Sequence, residues 1–137
     1  MVEFTISYEG GLRCEATHGP SDTAITTDAP VDNLGKGESF SPTDLTCTSL
    51  GACMVTTMAI FAQRENFEFP AGAQLVVRKH MTSEPPRRIA RIEVTMEIPL
   101  PADHPRRADL ERVALNCPVA LSLHPEVEKP TEFRWVG

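Results

Sequence analysis

One domain of mixed strands and helices is what this sequence predicts, and three observations carry that expectation. The chain has 137 residues of ordinary globular composition, 41% apolar and 23% charged, and its 12 prolines are scattered rather than massed in a linker. Short runs of alternating apolar and polar residues near both ends read as strands. Between them, the stretch from Pro42 to about Glu65 reads as one long helix whose middle, Thr46 to Ala62, carries apolar or small side chains on nearly every side, as a buried helix does. A domain of this size buries roughly 65–70% of its unfolded surface, so it needs neither disulfides nor a metal in order to fold.

Phe4, Ile6 and Tyr8 alternate with polar residues, as do Leu12, Cys14 and Ala16, with Gly10-Gly11 between the two runs. That is a β-hairpin pattern. A two-residue turn at Gly10-Gly11 pairs Tyr8 with Arg13 and sets the two apolar rows on opposite faces. A three-residue loop, Glu9-Gly10-Gly11, pairs Tyr8 with Leu12 and aligns the rows, and the pattern favours it. Arg13 then faces away from the apolar row. A third strand is expected over Thr23 to Thr27, followed by an irregular loop from Asp32 to Phe40.

Ser41 is placed as an N-cap, Pro42 at the first helical position and Asp44 where a capping-box acid reaches back. Asn66 suits a left-handed residue just past the helix end. Leu75 to Met81 and Ile89 to Pro99 read as two strands joined through a turn at Pro85-Pro86. Asp103 or His104 is expected to cap a second helix carrying Leu110, Val113, Ala114 and Cys117 at helical spacing. Pro118 cannot continue that helix but can open another, so Asn116-Cys117-Pro118 reads as a helix junction. Thr131 to Val136 forms a last strand.

A formal charge of −6 argues against a nucleic-acid partner, whose non-specific binding depends on clustered Lys and Arg. The longest mostly apolar stretch, Leu50 to Ala62, is interrupted by Thr56 and Thr57 and falls short of the roughly 18 residues of a membrane span, so no membrane partner is expected. The N-terminus lacks the basic start and apolar run of a secretory signal, which points to the cytoplasm, where thiols stay reduced and disulfides tend to be catalytic or regulatory.

The four cysteines, at 14, 47, 53 and 117, form no tight pair of the kind zinc sites use. Cys14 and Cys47 read as packing. Cys53, after Gly51-Ala52 in the long helix, is either a small buried hydrophobe or a functional thiol. Cys117, at a helix start, meets unpaired backbone N–H groups that favour thiolate, unless it merely fits the junction. Arg13 is the only arginine that precedes Cys53, and a thiol mechanism needs a cation. His18, His80, His104 and His124 are isolated from one another, and His124, seven residues after Cys117 and followed by Pro125, is the one to test as a cysteine partner.

Ser41-Pro42-Thr43-Asp44-Leu45 leads to Leu50-Gly51-Ala52-Cys53, and Asn116-Cys117-Pro118-Val119 follows, its cysteine 64 positions after Cys53. This pair of segments resembles the OsmC/Ohr family of osmotically inducible and organic hydroperoxide resistance proteins, in its OsmC-like subgroup, and the order of elements fits that family along the chain. The resemblance implies an α+β fold with a long buried central helix, antiparallel sheets wrapped outside and an intertwined homodimer. It implies a peroxidase without metal or organic cofactor, in which Cys53 is the peroxidatic thiolate, Cys117 the resolving thiol, an organic hydroperoxide the substrate and an external dithiol, of lipoyl type, the reductant. Arg13 and Asp44 stand for the family's arginine–acid pair, with Thr43 where many peroxidase members carry the acid. The loop before the helix, an alternative source of that arginine, has only Lys36. Phe40, Met54, Phe67 and Phe69 would suit an organic peroxide. The alternative is a non-enzymatic OsmC-like domain that binds a small apolar ligand or senses oxidants. Acyl transfer or hydrolysis through Cys53 lacks a convincing histidine base.

Overall fold

Strand propensity is spent early in the chain, and the computed structural model, which describes residues 1–137, shows the result as two compact units, Met1–Thr46 and Cys47–Gly137. The first holds an antiparallel sheet of β1 (Phe4–Gly10), β2 (Arg13–His18) and β3 (Ala24–Asp28), in that order. Its hairpin uses neither of the two anticipated loops. Gly10 pairs with Arg13 across Gly11-Leu12, both at positive φ, as a tight hairpin turn requires. Glu9 is left as a bulge residue, and Tyr8 then pairs with Cys14, Ile6 with Ala16 and Phe4 with His18.

The bulge restores what a two-residue turn alone would have broken. The apolar rows share one face, as expected, but the pairing has moved two positions along β2. Ile25 of β3 joins that face opposite Ala16, and Phe4, Ile6 and Tyr8 are each more than half exposed on it. Arg13 lies on the other face, directly opposite Asp28. After β3 the chain folds back on the strand end: Phe40 accepts the Asp28 N–H at 3.1 Å, Ala29 accepts that of Gly37 at 3.2 Å, and Ser39 Oγ donates to the Thr26 carbonyl at 2.9 Å.

The helix α1 (Pro42–Arg64) begins as its sequence dictates. The Asp44 N–H donates to Ser41 Oγ at 3.1 Å and the Ser41 N–H donates back to Asp44 Oδ2 at 2.9 Å, a reciprocal capping box. Asn66, at φ 59, terminates it, and the Phe67 N–H closes on the Ala62 carbonyl at 3.0 Å. Burial departs from expectation. Cys47, Leu50, Gly51, Met54, Met58 and Ala62 form one buried stripe, while Thr48, Ser49, Ala52, Thr56 and Ile60 are exposed. Thr, Ser and Ala are small enough to suit either environment, so the sequence could not say which side a single chain leaves open. The helix has 23 residues and is long and apolar enough, by length and composition alone, to cross a membrane. The Leu50–Ala62 stretch alone, interrupted by Thr56 and Thr57, falls short of that length, but the helix that contains it does not. A third of its most apolar window is buried, and its buried stripe belongs to the core of the second unit, as in a core helix that passes the same test.

The second unit's sheet contains β4 (Gln74–Met81), antiparallel to β5 (Ile89–Ile98), and then β6 (Thr131–Trp135), parallel to β5. The mixed pairing follows from the connection, since the chain crosses from β5 to β6 through α2 (Arg107–Leu115) and α3 (Pro118–Ser122). Ile92, Val94, Met96 and Ile98 alternate inward and join Leu50, Met54, Met58, Leu110 and Ala114 in the core. The second helix starts later than expected, with Arg106 rather than Asp103 or His104 at the N-cap. Pro105 biases His104 away from helical geometry, so the chain first bends. His104 Nδ1 takes the Arg106 N–H at 3.1 Å during that bend.

Two contacts lock α1 in this unit. Arg106 lies 4.9 Å from the Phe61 ring centroid and 5.6 Å from that of Phe67, and it pairs with Glu65 at 3.2 Å and Asp109 at 2.9 Å. Those partners raise the Arg106 pKa, Asp109 first, and Arg106 holds the Asp109 carboxyl below its usual value. At Gly51 the helix approaches β4 so closely that an added Cβ would lie 2.9 Å from Val77 Cγ2 and 3.5 Å from Leu75 Cδ2. Gly51→Val is therefore expected to lower the urea unfolding midpoint by the equivalent of about 1–3 kcal/mol of overpacking. A midpoint equal to or above that of the parent would show that the helix–strand contact is not tight there.

Candidate functional site

Cys53 lies near the middle of α1, on the flank of the buried stripe between exposed Ala52 and buried Met54, and is itself half-buried. One turn further along, Thr57 Oγ1 lies 3.9 Å from its sulfur. Cys117 occupies the junction between α2 and α3, with Pro118 opening α3 as its fixed φ permits. Its side chain is fully buried, and its sulfur accepts the Ala120 N–H at 3.5 Å.

The two thiols are neighbours: Cys53 packs against the core cluster that contains Cys117 and influences the Cys117 proton. Residues 64 positions apart in sequence thus meet at one point, the first on a long helix and the second on a short helix's N-cap. Burial is the largest influence on Cys117 and raises its pKa, and the neighbouring Cys53 raises it further. The N–H groups of Ala120 and Val119 pull the other way. The expectation that a helix start would make Cys117 a thiolate is therefore corrected: α3 has only five residues, and its N–H groups do not offset desolvation.

All four cysteines are free thiols. Cys47 is buried in the core and Cys14 is half-buried on the apolar face of β2, beside Tyr8 and Thr27. No group of three or more His, Cys, Asp or Glu side chains is gathered as a metal site. The histidines have local partners: His18 Nδ1 lies 2.6 Å from Ser21 Oγ, His80 Nε2 lies 3.1 Å from Glu93 Oε1, and His124 Nδ1 accepts the Glu126 N–H at 3.1 Å. Of the aromatic residues singled out, Phe67 stacks in the Arg106 cluster, Phe40 stands exposed, and Phe69 lines a groove of about 420 Å³ with Val55, Thr56 and Ala59. Met54 points into the core.

In the first unit, Asp44 gives its carboxylate to the capping box. Arg13 reaches the loop, where its guanidinium lies 3.8 Å from Glu38 Oε2. Sequence reasoning passed over Asp28, which is fully buried: Oδ2 accepts the Glu38 N–H at 3.0 Å and Oδ1 has no hydrogen-bond partner. A lone acid at a strand end gives little signal until the β2–β3 register places it opposite Arg13.

The family model described as OsmC-like protein matches residues 35–130. A Psychrobacter arcticus 273-4 protein named as an osmotic stress induced and detoxification response protein is 39% identical over 98% of this chain and 96% of its own, with a TM-score of 0.90. An organic hydroperoxide resistance protein OsmC of Legionella pneumophila shares the fold at 11% identity and a TM-score of 0.76, over 98% of this chain and 96% of its own. The organic hydroperoxide resistance protein OhrB of Bacillus subtilis does so at 15% identity and 0.69, over 98% of both chains. No curated protein matches the chain in sequence. A thiol pair carried by a long helix and a helix junction, in an α+β chain that the family model matches over more than half its length, makes this protein a member of the OsmC-like family.

Proposed function

We propose that the chain is a cysteine-dependent peroxidase for organic hydroperoxides. The observation that carries this reading is the proximity of Cys53 and Cys117, one half-buried and one buried thiol brought together from positions far apart in the chain. Structural relatives named for organic hydroperoxide resistance support the substrate class. The Cys53 thiolate attacks the distal peroxide oxygen, the O–O bond breaks, and the alkoxide leaves and takes a proton from water, so that Cys53 becomes a sulfenic acid. Cys117 then loses its proton and attacks that sulfur. A disulfide forms, and hydroxide departs with the proton as water. An external dithiol, of lipoyl type, reduces the disulfide by exchange.

In this reading Arg13 supplies the cation that favours the thiolate and orients the peroxide, and Asp44 fixes the start of the helix that carries Cys53. The 39% identical relative matches nearly the whole chain, which supports treating both units as one OsmC-like domain over residues 1–137. The open side of α1 and the exposed apolar face of β1 support an intertwined homodimer, acting in the cytoplasm where a dithiol can recycle it. A second reading, a domain that binds a small apolar ligand or senses oxidants, draws on the concavity of about 520 Å³ lined by Phe4, Ile6, Ala16 and Ile25. Thr43, in place of an acid, also favours it.

Stopped-flow oxidation with cumene hydroperoxide and with hydrogen peroxide separates the two. The peroxidase reading expects rapid loss of two thiols in the parent, faster with the organic peroxide, no rapid loss in Cys53→Ser, and a trapped sulfenic acid in Cys117→Ser. Equal, slow oxidation of all three proteins would leave the ligand-binding or sensing domain. Arg13→Ala is expected to slow Cys53 oxidation about tenfold, the scale of one lost charge-assisted hydrogen bond. An unchanged rate would assign the cation to another residue.

The raised Cys117 pKa also makes stability depend on pH. A thiol that holds its proton more tightly in the folded chain than in the unfolded one stabilises the fold fully below its ordinary value of 9.0. Between that value and the raised one the unfolded chain releases the proton first, so stability falls as pH rises. For the reduced protein, the urea midpoint should decline more steeply above about pH 9 in the parent than in Cys117→Ala. Parallel curves would show that Cys117 is not perturbed in solution.

A further inference from the structure

We propose that Asp28 is the residue that positions Arg13, and that Glu38 competes with it for the same guanidinium. The inference rests on the reading of Arg13 as the cation that supports Cys53. Arg13 and Asp28 are direct cross-strand partners of β2 and β3, so their side chains leave the sheet on the same face. Asp28 is fully buried, and its two oxygens are used unequally: Oδ2 accepts the Glu38 N–H at 3.0 Å, while Oδ1 has no partner. A buried carboxylate oxygen without a donor is costly, and a guanidinium, with five donors in a planar fork, is the group best able to satisfy it.

The contact Arg13 makes instead is a loose one. Glu38 Oε2 lies 3.8 Å away, beyond hydrogen-bond distance, and the two side chains are 37% and 56% exposed. Exposed pairs of that kind contribute little and are screened by salt. Glu38 is therefore joined to both members of the site: its N–H holds Asp28 and its carboxylate draws Arg13 outward. Arg13 exchanges between a solvent position on Glu38 and an inward position on Asp28 Oδ1. The inward position fixes the direction of the guanidinium, and Asp28 acts through Arg13 without contacting the peroxide.

Asp28→Asn removes the charge but keeps an amide oxygen that can still accept the Glu38 N–H, so the loop stays clamped. Rates of Cys53 oxidation by cumene hydroperoxide are measured for the parent, Asp28→Asn, Arg13→Ala, the double variant and Glu38→Gln. Asp28→Asn should slow the reaction about as much as Arg13→Ala, roughly tenfold. The double variant should be no slower than Arg13→Ala alone, and Glu38→Gln should match or exceed the parent rate. Equal slowing by Asp28→Asn with and without Arg13, or no slowing while Arg13→Ala is slow, overturns the proposal.

If the parent itself fails to react rapidly, or Arg13→Ala leaves its rate unchanged, the peroxidase reading or the role of Arg13 within it has failed, and the pair is then judged by urea unfolding of the parent, Asp28→Asn, Arg13→Ala and the double variant. A double variant that loses no more midpoint than the larger single loss supports the Arg13–Asp28 contact. Strictly additive losses rule it out.

Discussion

Cys117 is a thiol taken wholly out of water, and its burial beside Cys53 is the constraint on which the candidate site depends. Its sulfur caps α3, its side chain belongs to the core, and its proton is retained because burial disfavours charge there. Cys53 differs in one respect that matters for chemistry, since it is only half-buried. In the proposed reaction the partly open thiol meets the peroxide, and the buried one waits close behind it. That asymmetry follows from position: a residue on the flank of a helix stripe stays partly open, whereas a residue in a helix junction is enclosed from several directions.

Holding the two sulfurs together requires α1 to be fixed along its length. The capping box of Ser41 and Asp44 sets where the helix starts, and Asn66 sets where it stops. Gly51 lets it press against Val77 of β4 only two residues before Cys53. Arg106 clamps its far end through Phe61 and Glu65 and, through Asp109, ties that end to α2, the helix that leads into the Cys117 junction. Each of these is a local interaction of modest strength, but together they leave the helix little freedom to slide past α3.

Much of this was legible in the residues. Ser41-Pro42 with Asp44 announced the helix start because capping chemistry is local, and Asn66 and Asn116-Cys117-Pro118 marked a helix end and a junction for the same reason. What the sequence obscured depended on partners distant along the chain. Glu9 could not be recognised as a bulge residue, since the choice among hairpin registers is settled by the pairing of β2 with both neighbours. The open side of α1 was hidden because Thr48, Ala52 and Thr56 suit a buried or an exposed place equally well. At Cys117 the helix-start argument was sound in sign but omitted desolvation, which is the larger influence. Asp28 gave no signal until β2 and β3 were aligned.

The most direct test of the account is peptide mapping of the protein after one equivalent of cumene hydroperoxide. The Cys53 and Cys117 peptides should be recovered joined by a disulfide, with Cys14 and Cys47 still free. Recovery of Cys53 as an over-oxidised acid with Cys117 untouched, or of disulfides distributed among all four cysteines, would contradict the claim that these two thiols form a working pair.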